Sequence, residues 1–472
     1  MLHLQKLQKL AKKVDKNWFY IYLLYNLGTK NTKTCKKVGK FMEIKRDKYL
    51  NKLIERKNNG LIKIVTGLRR CGKSYLLNNI YKDYLLSNGI KEEQIISFSF
   101  DVLENVMVLD KYLPKEKTLK YDSKGNYIVN PKKFILYIND LTKENKGYYF
   151  LLDEIQLLDN FVMVLNGFLK HDNFDVYVTG SNSKMLSSDI ITEFRGRGDQ
   201  IHLYPLSFKE FFEAKSQSFD DAYLEYQYYG GMPYLLNIDS EENKQEYLKN
   251  LFTEIYIKDI TERNGVKDID SFSKLLKILA SSIGSYTNPT KLENTFRNIE
   301  NIDYGHVTIK KHIEFIKDAF LLSEANRYDI KGKKYIGSNS KYYFTDIGLR
   351  NALINFRQTE PTHIMENIIY NELISRGYSV DVGIVEISEK NDNGNYVIKR
   401  LETDFICHKI NEKIYIQSAY SMETLDKEIQ EKRSLINIKD NFKKMIIVKD
   451  SIKPYLTEEG IEVKNLKDWL LK

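Results

Sequence analysis

The sequence predicts an α/β chain whose first half is a doubly wound parallel sheet and whose second half is a helical region leading into an α+β domain. Three observations carry this prediction. Five short β-prone runs between residues 61 and 203 alternate with helix-prone stretches, the pattern of a parallel sheet with crossover helices. A glycine-containing run, Gly67-Leu-Arg-Arg-Cys-Gly72-Lys73-Ser74, lies between the first of those strands and a helix-prone segment. Beyond residue 350, a helix-prone stretch is followed by several strand-like runs.

Length and composition set the bounds. The chain has 472 residues, 42% hydrophobic and 29% charged, enough for about three domains at roughly 150 residues each, every one with its own core. This excludes a collagen, a wholly disordered chain and a disulfide-stapled mini-protein. No apolar run approaches the roughly 18 residues of a membrane-spanning helix. Residues 18–25 form the longest candidate, and no small-residue cleavage site follows them, so no membrane partner is expected. Cys35, Cys71 and Cys407 are scattered and odd in number, which suits a reducing cytoplasm.

The formal charge of +9 equals the excess of ten lysines over Asp15 within residues 1–41. Residues 42–472 are therefore formally neutral, and their overall charge names no partner. Two readings of the basic extension 1–41 compete: an arm touching nucleic acid or membrane, and sequence translated from upstream of the true start. The second is preferred, because the extension holds all the charge excess and no periodic pattern. From Met42 onward, Ile44, Leu50, Leu53 and Ile54 fit a short amphipathic helix. The domain boundaries follow: a first, α/β domain at 42–215, a helical lid and winged helix at 216–350, and a third domain at 351–472.

In the first domain, residues 61–66 read as a strand running into the G-x-x-x-x-G-K-S run, with a helix after it. Glycines let the backbone wrap a phosphate, and successive N–H groups at a helix start point at it. Lys73 neutralises the β/γ charge, and Ser74 offers a hydroxyl to Mg²⁺. The nucleotide-contacting set is Gly67, Leu68, Arg69, Arg70, Cys71, Gly72, Lys73, Ser74 and Tyr75. Cys71 is read as a small tolerated side chain, with redox sensitivity as the alternative. Next, residues 148–153 form an apolar run ending in Asp153-Glu154, which delivers two carboxylates to the carboxyl edge of a parallel sheet. Asp153 is assigned to Mg²⁺ and Glu154 to the attacking water. Residues 175–180 give a third strand, leading to Ser181-Asn182, with Asn182 as a γ-phosphate sensor; residues 95–100 and 201–203 give two more. Arg195 and Arg197 flank a glycine. Either is an arginine finger, in cis or from a neighbouring subunit, or the pair is a solvated surface turn; both readings stay open.

These motifs, with the box Leu-Leu-Asp-Glu-Ile-Gln156, the run Pro205-Leu-Ser-Phe-Lys-Glu-Phe211, Tyr229-Gly-Gly-Met-Pro233 and Phe344-Thr-Asp-Ile-Gly-Leu-Arg350, resemble the prokaryotic AAA-type ATPases whose C-terminal half is a domain of unknown function. The resemblance runs from about Met42 to the C-terminus and implies ATP and Mg²⁺ as ligands.

In the middle region, 216–265 is helix-prone around Gly230-Gly231. Two further helical stretches precede a helical face at Ile309, Ile313, Ile316 and Phe320. A hairpin over 327–334 and 341–344 has a basic tip. Three helices and a hairpin predict a winged helix able to set Lys310, Lys311, Lys317 and Lys334 against phosphates, or one that serves as a protein-interaction module. His312 reads as a packed residue. In the last domain, residues 363–375 form a helix closed by Gly377. Strand-like runs follow at 378–388, 397–401, 403–407 and 413–420. This order resembles the restriction-endonuclease-like core. That resemblance implies metal-holding acids and a lysine at Glu366, Asp404, Gln417 and Ala419, of which the last two depart from the pattern. Glu402 and Lys413 are the candidates to compensate. No Cys/His cluster has zinc spacing. The sequence thus supports an ATP-hydrolysing switch or motor acting on DNA or a protein partner, with an oligomer left open. The alternatives are an ATP-dependent nuclease and a module in which ATP only orders the domains.

Overall fold

A computed structural model describes residues 44–472 apart from 122–124, 126, 145, 181–193, 195, 358–359 and 392–393, and apart from the side chains of 254, 255 and 338. Asn182, Arg195 and the extension 1–41 therefore lie outside the described residues. In chain order, the first half runs α1 (Asp47–Glu55), β1 (Ile62–Gly67), α2 (residues 73–87), β2 (Ile95–Ser99), α3 (Leu103–Met107), a small hairpin β3 (Leu119–Tyr121) and β4 (Tyr127–Val129), α4 (Pro131–Leu141), β5 (Tyr148–Asp153), α5 (Phe161–Phe168), β6 (Phe174–Thr179) and β7 (Gly198–Leu203). The five strands predicted from the sequence form one sheet in the order β2-β5-β6-β1-β7, and every pairing in it is parallel. Burial on both faces explains why these strands are nearly continuous apolar runs. The exception in β1, Lys63, is fully buried and is neutralised by an ion pair with Asp175 on the neighbouring β6.

The chain continues through α6 (Phe208–Glu213), α7 (Phe219–Tyr229), α8 (residues 241–264), α9 (Ile269–Ser281), α10 (Pro289–Thr295) and α11 (His306–Asp318), with β8 (Tyr286–Thr287) between α9 and α10. It then enters β9 (Leu322–Asp329), β10 (Lys334–Phe344), α12 (Ile347–Leu353), α13 (Pro361–Ser375), β11 (Ser379–Lys390), β12 (Tyr396–Lys409), β13 (Glu412–Ala419), α14 (Leu425–Ile436), β14 (Lys443–Val448), β15 (Tyr455–Leu456), β16 (Glu462–Asn465) and α15 (Leu466–Leu470). The runs read from sequence at 397–401 and 403–407 are one long strand. Helices α9, α10 and α11 precede the hairpin β9–β10, but the hairpin is not a free wing. Val382, Gly383 and Ile384 of β11 pair in parallel with Arg327, Tyr328 and Asp329 of β9. A single nine-stranded sheet, ordered β15-β16-β14-β13-β12-β11-β9-β10-β8, therefore crosses the sequence-based boundary at 350/351.

Apolar packing crosses the other boundary. One cluster joins Val65 and Tyr177 of the first sheet and Leu76 of α2 to Phe252, Leu275, Ile313 and Phe344. A second joins Phe208, Phe211 and Tyr223 to Met365, Ile369, Phe405 and Trp469. The Gly230-Gly231 turn and the Asp346-Ile-Gly348 run meet at the junction. Gly231 donates its N–H to Asp346 Oδ2 at 2.7 Å, and Leu349 N donates to Oδ1 at 3.0 Å, so the one carboxylate caps α12 and holds the turn. A Cβ on Gly348 would lie 1.9 Å from the Tyr229 carbonyl oxygen, so the two backbones meet only because residue 348 carries no side chain. Gly348→Ala must push them apart and should lower unfolding stability by about 3 kcal/mol in urea titration. Gly167→Ala, where a Cβ on α5 meets nothing within 4 Å, should instead be neutral or stabilise by about 0.5–1 kcal/mol.

Candidate active site

β1 is flanked by β6 on one side and β7 on the other, so the strand order reverses beside it and a crevice opens beyond the carboxyl ends of the strands. Residues 67–75 fill that crevice. Gly67 has φ 139°, and a Cβ there would sit 2.1 Å from the Leu203 carbonyl oxygen, so the loop leaves β1 in contact with β7. Gly72, at φ 99°, turns the chain into α2, whose first amides have no acceptor within the helix. Lys73 is buried, and its ammonium donates to the carbonyls of Gly67 at 3.1 Å and Leu68 at 2.9 Å. The loop thus holds its own cation in readiness. Cys71 is buried with Sγ 3.5 Å from the Leu203 oxygen, and burial raises its thiol pKa, which fits a packed residue rather than a reactive one. Arg69, Arg70, Ser74 and Tyr75 are exposed at the mouth.

The acidic edge stands on the next strands. Asp153 ends β5, almost fully buried, and accepts a hydrogen bond from Thr179 Oγ1 at the end of β6. Burial raises its carboxyl pKa, partly offset by hydrogen bonds from Thr179 and Ser74. Ser74 and Asp153, the two assigned metal ligands, are therefore adjacent. Glu154 follows in the left-handed region at φ 52°, donates its N–H to Thr179 Oγ1 at 3.3 Å, and has its carboxylate hydrogen-bonded by Gln156 Nε2. This places the acid beside the metal ligand but turned out of the strand. Two further groups at this edge went unread in the sequence. Asp101 follows β2 at the same edge, where Phe100 N donates to the Asp153 carbonyl at 3.0 Å. Crowding by surrounding atoms, then repulsion from Asp153 and Glu154, pushes its carboxyl up to about 6 although its surface is open. The rule that strand ends deliver acids to this edge would have found it. Thr179 falls in the third strand read from the sequence, with no role assigned to it.

The helical lid grips the loop from outside. Tyr256 of α8 donates its hydroxyl to the Arg69 carbonyl at 2.7 Å, and Arg69 lies 3.7 Å from Asp259, which also pairs with Arg263 at 3.0 Å. Arg197 corrects its expected place. Its carbonyl accepts from Ile62 N, and it precedes β7, so it sits at the amino edge of the sheet with its guanidinium on Asn166 Oδ1 at 3.2 Å. Six strand residues, about 20 Å, separate it from the phosphate loop of its own chain, which rules Arg197 out as a finger in cis.

In the second half, Glu366 of α13 and Asp404 of β12 do come together, joined by Glu402 and by Gln417, whose Oε1 accepts from Asp404 N at 3.3 Å. The cation there is neither Lys413 nor a residue at Ala419. Lys413 lies 3.8 Å from Asp440 at the far end of the β12–β13 hairpin, and Ala419 is packed in an apolar core. It is Lys341 of β10, 2.9 Å from Glu366 Oε1 and 2.6 Å from Glu402 Oε1, and Tyr343 OH donates to the same Glu366 oxygen at 2.5 Å. Burial works against the Lys341 charge, but Glu366, Asp404 and Glu402 outweigh it and hold the ammonium well above the lysine range. Burial and the Glu366 charge push Asp404 well up, whereas at Glu366 burial is outweighed by Lys341 together with the hydrogen bonds from His363 and Tyr343, which hold that carboxyl down. Among the basic residues of the middle region, Lys310, Lys311, Lys331, Lys333 and Lys334 are exposed. Lys317 is not available in the same way, since it pairs with Glu324 at 2.7 Å and Glu314 at 3.1 Å. His312 is buried and hydrogen-bonded to Tyr304.

Comparison with known proteins agrees with the first-half geometry. A family described as an AAA domain matches residues 59–212, and a domain of unknown function matches 220–360. An uncharacterized protein of Haemophilus influenzae is 35% identical over 439 residues, covering 91% of this chain and 99% of its own length. One of Methanocaldococcus jannaschii is 28% identical over 429 residues, covering 86% and 85%. Among solved structures, the Aeropyrum pernix ORC2 protein in ADPNP–ADP complexes matches at 12% identity and TM-score 0.38, over 72% of this chain and 98% of that one. AMPPCP-bound DnaA from Aquifex aeolicus matches at 14% identity and TM-score 0.28, over 57% and 86%. With the phosphate loop intact and the Haemophilus relative aligned almost end to end, the chain belongs to the family of AAA-domain, P-loop ATP-binding proteins that carry a C-terminal domain of unknown function.

Proposed function

We propose that the protein is an Mg²⁺-dependent ATPase acting as a molecular switch or motor whose second half engages DNA. The observation that carries this reading is the buried Lys73 ammonium, held on two loop carbonyls beside the Ser74–Asp153 pair and the out-turned Glu154. Lys73 exchanges those carbonyls for the terminal phosphate of ATP, compensating its charge in a site where little water shields it. The residues fit a magnesium site: Ser74 and Asp153 would hold Mg²⁺, whose charge would offset the negative charge that develops on the phosphates in the transition state. Thr179 fixes Asp153 and the Glu154 amide, and Glu154 orients the attacking water and draws its proton. In this reading Asn182 and Arg195 keep their assigned roles as sensor and finger, and Arg197 faces away from the nucleotide of its own chain. The support for DNA as the partner is the set of exposed lysines on α11 and on the β9–β10 turn, which suits a phosphate backbone.

Lys73→Ala should abolish ATP hydrolysis and weaken nucleotide binding by about 10- to 100-fold in a fluorescent-nucleotide titration; near-parental turnover would remove the loop from the mechanism. Glu154→Gln should keep nucleotide affinity while the hydrolysis rate falls about 10²–10³-fold. If Glu154→Gln turns over at the parental rate, another group positions the water, and if the parent itself does not turn over, ATP only orders the domains.

Incubated with ATP and Mg²⁺ or Mn²⁺, the protein should leave linear and supercoiled DNA intact on a gel. DNA affinity should survive Asp404→Ala. Changing Lys310, Lys311 and Lys334 to alanine together should weaken it and reduce the slope of log affinity against log salt by about three. Nicking that disappears in Asp404→Ala would make the protein a nuclease, and the absence of any salt-dependent DNA affinity would point to a protein partner instead.

A further inference from the structure

The nuclease-like arrangement around Glu366 implies a divalent metal, and the donor set there does not fit one. A hard cation needs at least two or three oxygen ligands at about 2.0–2.6 Å with their charge free to meet it. The Glu366 and Glu402 carboxylates are already bridged by the Lys341 ammonium at 2.9 and 2.6 Å. A metal binding the same two oxygens would lie within about one ligand distance of that ammonium, and the two cations cannot share the place. At Asp404, one of the two oxygens is taken, since Ser418 N donates to Oδ2 at 2.8 Å. Gln417, the position of the third acid, turns its carbonyl oxygen to the Asp404 amide instead of the cluster. Among the described residues, no three His, Cys, Asp or Glu side chains converge where a metal ion could be held.

Lys341 is also fixed. It stands on β10 between β9 and β8, paired with Ala325 on one side and Tyr286 on the other, and its side chain is 4% exposed. A strand in the middle of a sheet cannot slide by one residue without turning the lysine to the opposite face, so the ammonium is delivered to the carboxylates by the same register that builds the sheet. Leaving these acids without a cation would strand buried charge, which is the costly way to break a buried pair.

We propose that the Lys341 ammonium is the resident cation of the Glu366–Glu402–Asp404 cluster, seated where a divalent ion would otherwise bind, so that the second domain keeps the charge balance of a metallonuclease site without the metal. The cluster then holds β10, β12 and α13 together, and the surface over it is free to serve binding alone. This holds whether or not the first domain hydrolyses ATP.

The test uses the full chain, free of nucleotide, with Mn²⁺ as the probe, read by the electron paramagnetic resonance signal of free Mn²⁺ and by thermal unfolding. In the parent, Glu366→Gln should leave the number of Mn²⁺ ions bound unchanged, because the cluster takes none. Lys341→Met keeps the stem and removes the charge. It should unfold at a lower temperature than the parent, gain one bound Mn²⁺, and recover about 5 °C in Tm when Mn²⁺ is added, while the parent Tm stays where it was. The gain should vanish in the double variant Lys341→Met, Glu366→Gln. A Mn²⁺ equivalent in the parent that Glu366→Gln removes would overturn the proposal, and this arm decides even if Lys341→Met does not fold. A folded Lys341→Met that gains no Mn²⁺ would overturn it equally.

Discussion

Everything beyond the first sheet is oriented by the way one buried carboxylate, Asp346, accepts backbone N–H groups from two separate segments. Gly231 reaches it across 115 residues of sequence, while Leu349 is its own helix start. No counter-ion is needed, because oriented amides supply the positive potential, yet burial still lifts the carboxyl to about 6 against the pull of those amides. The arrangement demands three close backbone approaches at once: Gly231 against the Leu206 carbonyl, Gly230 against the Gly348 amide, and Gly348 against the Tyr229 carbonyl. The neighbouring Asn351 extends it by donating to the carbonyls of Gln227 and Tyr228, which end α7. Hydrogen bonds of this kind, with no water to compete, make the junction stiff.

That stiffness gives the nucleotide loop something to act on. The loop is held on its sheet side by β7 and on its outer side by Tyr256 and Asp259 of α8, and α8 shares an apolar core with α9, α11 and α12. The Arg69 carbonyl held by Tyr256 lies one residue from the Leu68 carbonyl that accepts from Lys73. A shift there passes to α8 through a hydrogen bond and an ion pair, and packed interiors hand such shifts on because they compress little. The loop and its lid are therefore one mechanical element, although the sequence separates them by nearly two hundred positions.

How much of this the sequence disclosed follows from the range of each signal. The phosphate loop and the Asp153–Glu154 edge were legible because their chemistry is written in consecutive residues, with an apolar strand stating where the edge is. The five strands were legible for the same reason. Arg197 misled because closeness in sequence to the site's strands says nothing about which end of a parallel strand a residue occupies. Lys317 and Lys413 looked available as cations, but their partners, Glu324 and Asp440, lie in other elements. Lys341 was invisible as the cluster's cation because no spacing rule connects a lysine on β10 to a glutamate on α13; only the register of the sheet does. The Tyr-Gly-Gly and Asp-Ile-Gly runs were recognised as family markers, and their meaning is mutual: each exists to admit the backbone of the other.

The parallel seam between β9 and β11 has a practical corollary for anyone who would divide the protein. Trimming the chain near residue 350, where composition and helix pattern suggest a boundary, would strip β11 from β9 and leave a row of unpaired amides and carbonyls beside the exposed ring of Tyr335. A bare edge of that kind recruits strands from other molecules. The fragment on the other side would fare no better, since it would lose Lys341 and be left with acids facing one another. Soluble pieces of this protein are to be sought by cutting elsewhere, or not at all.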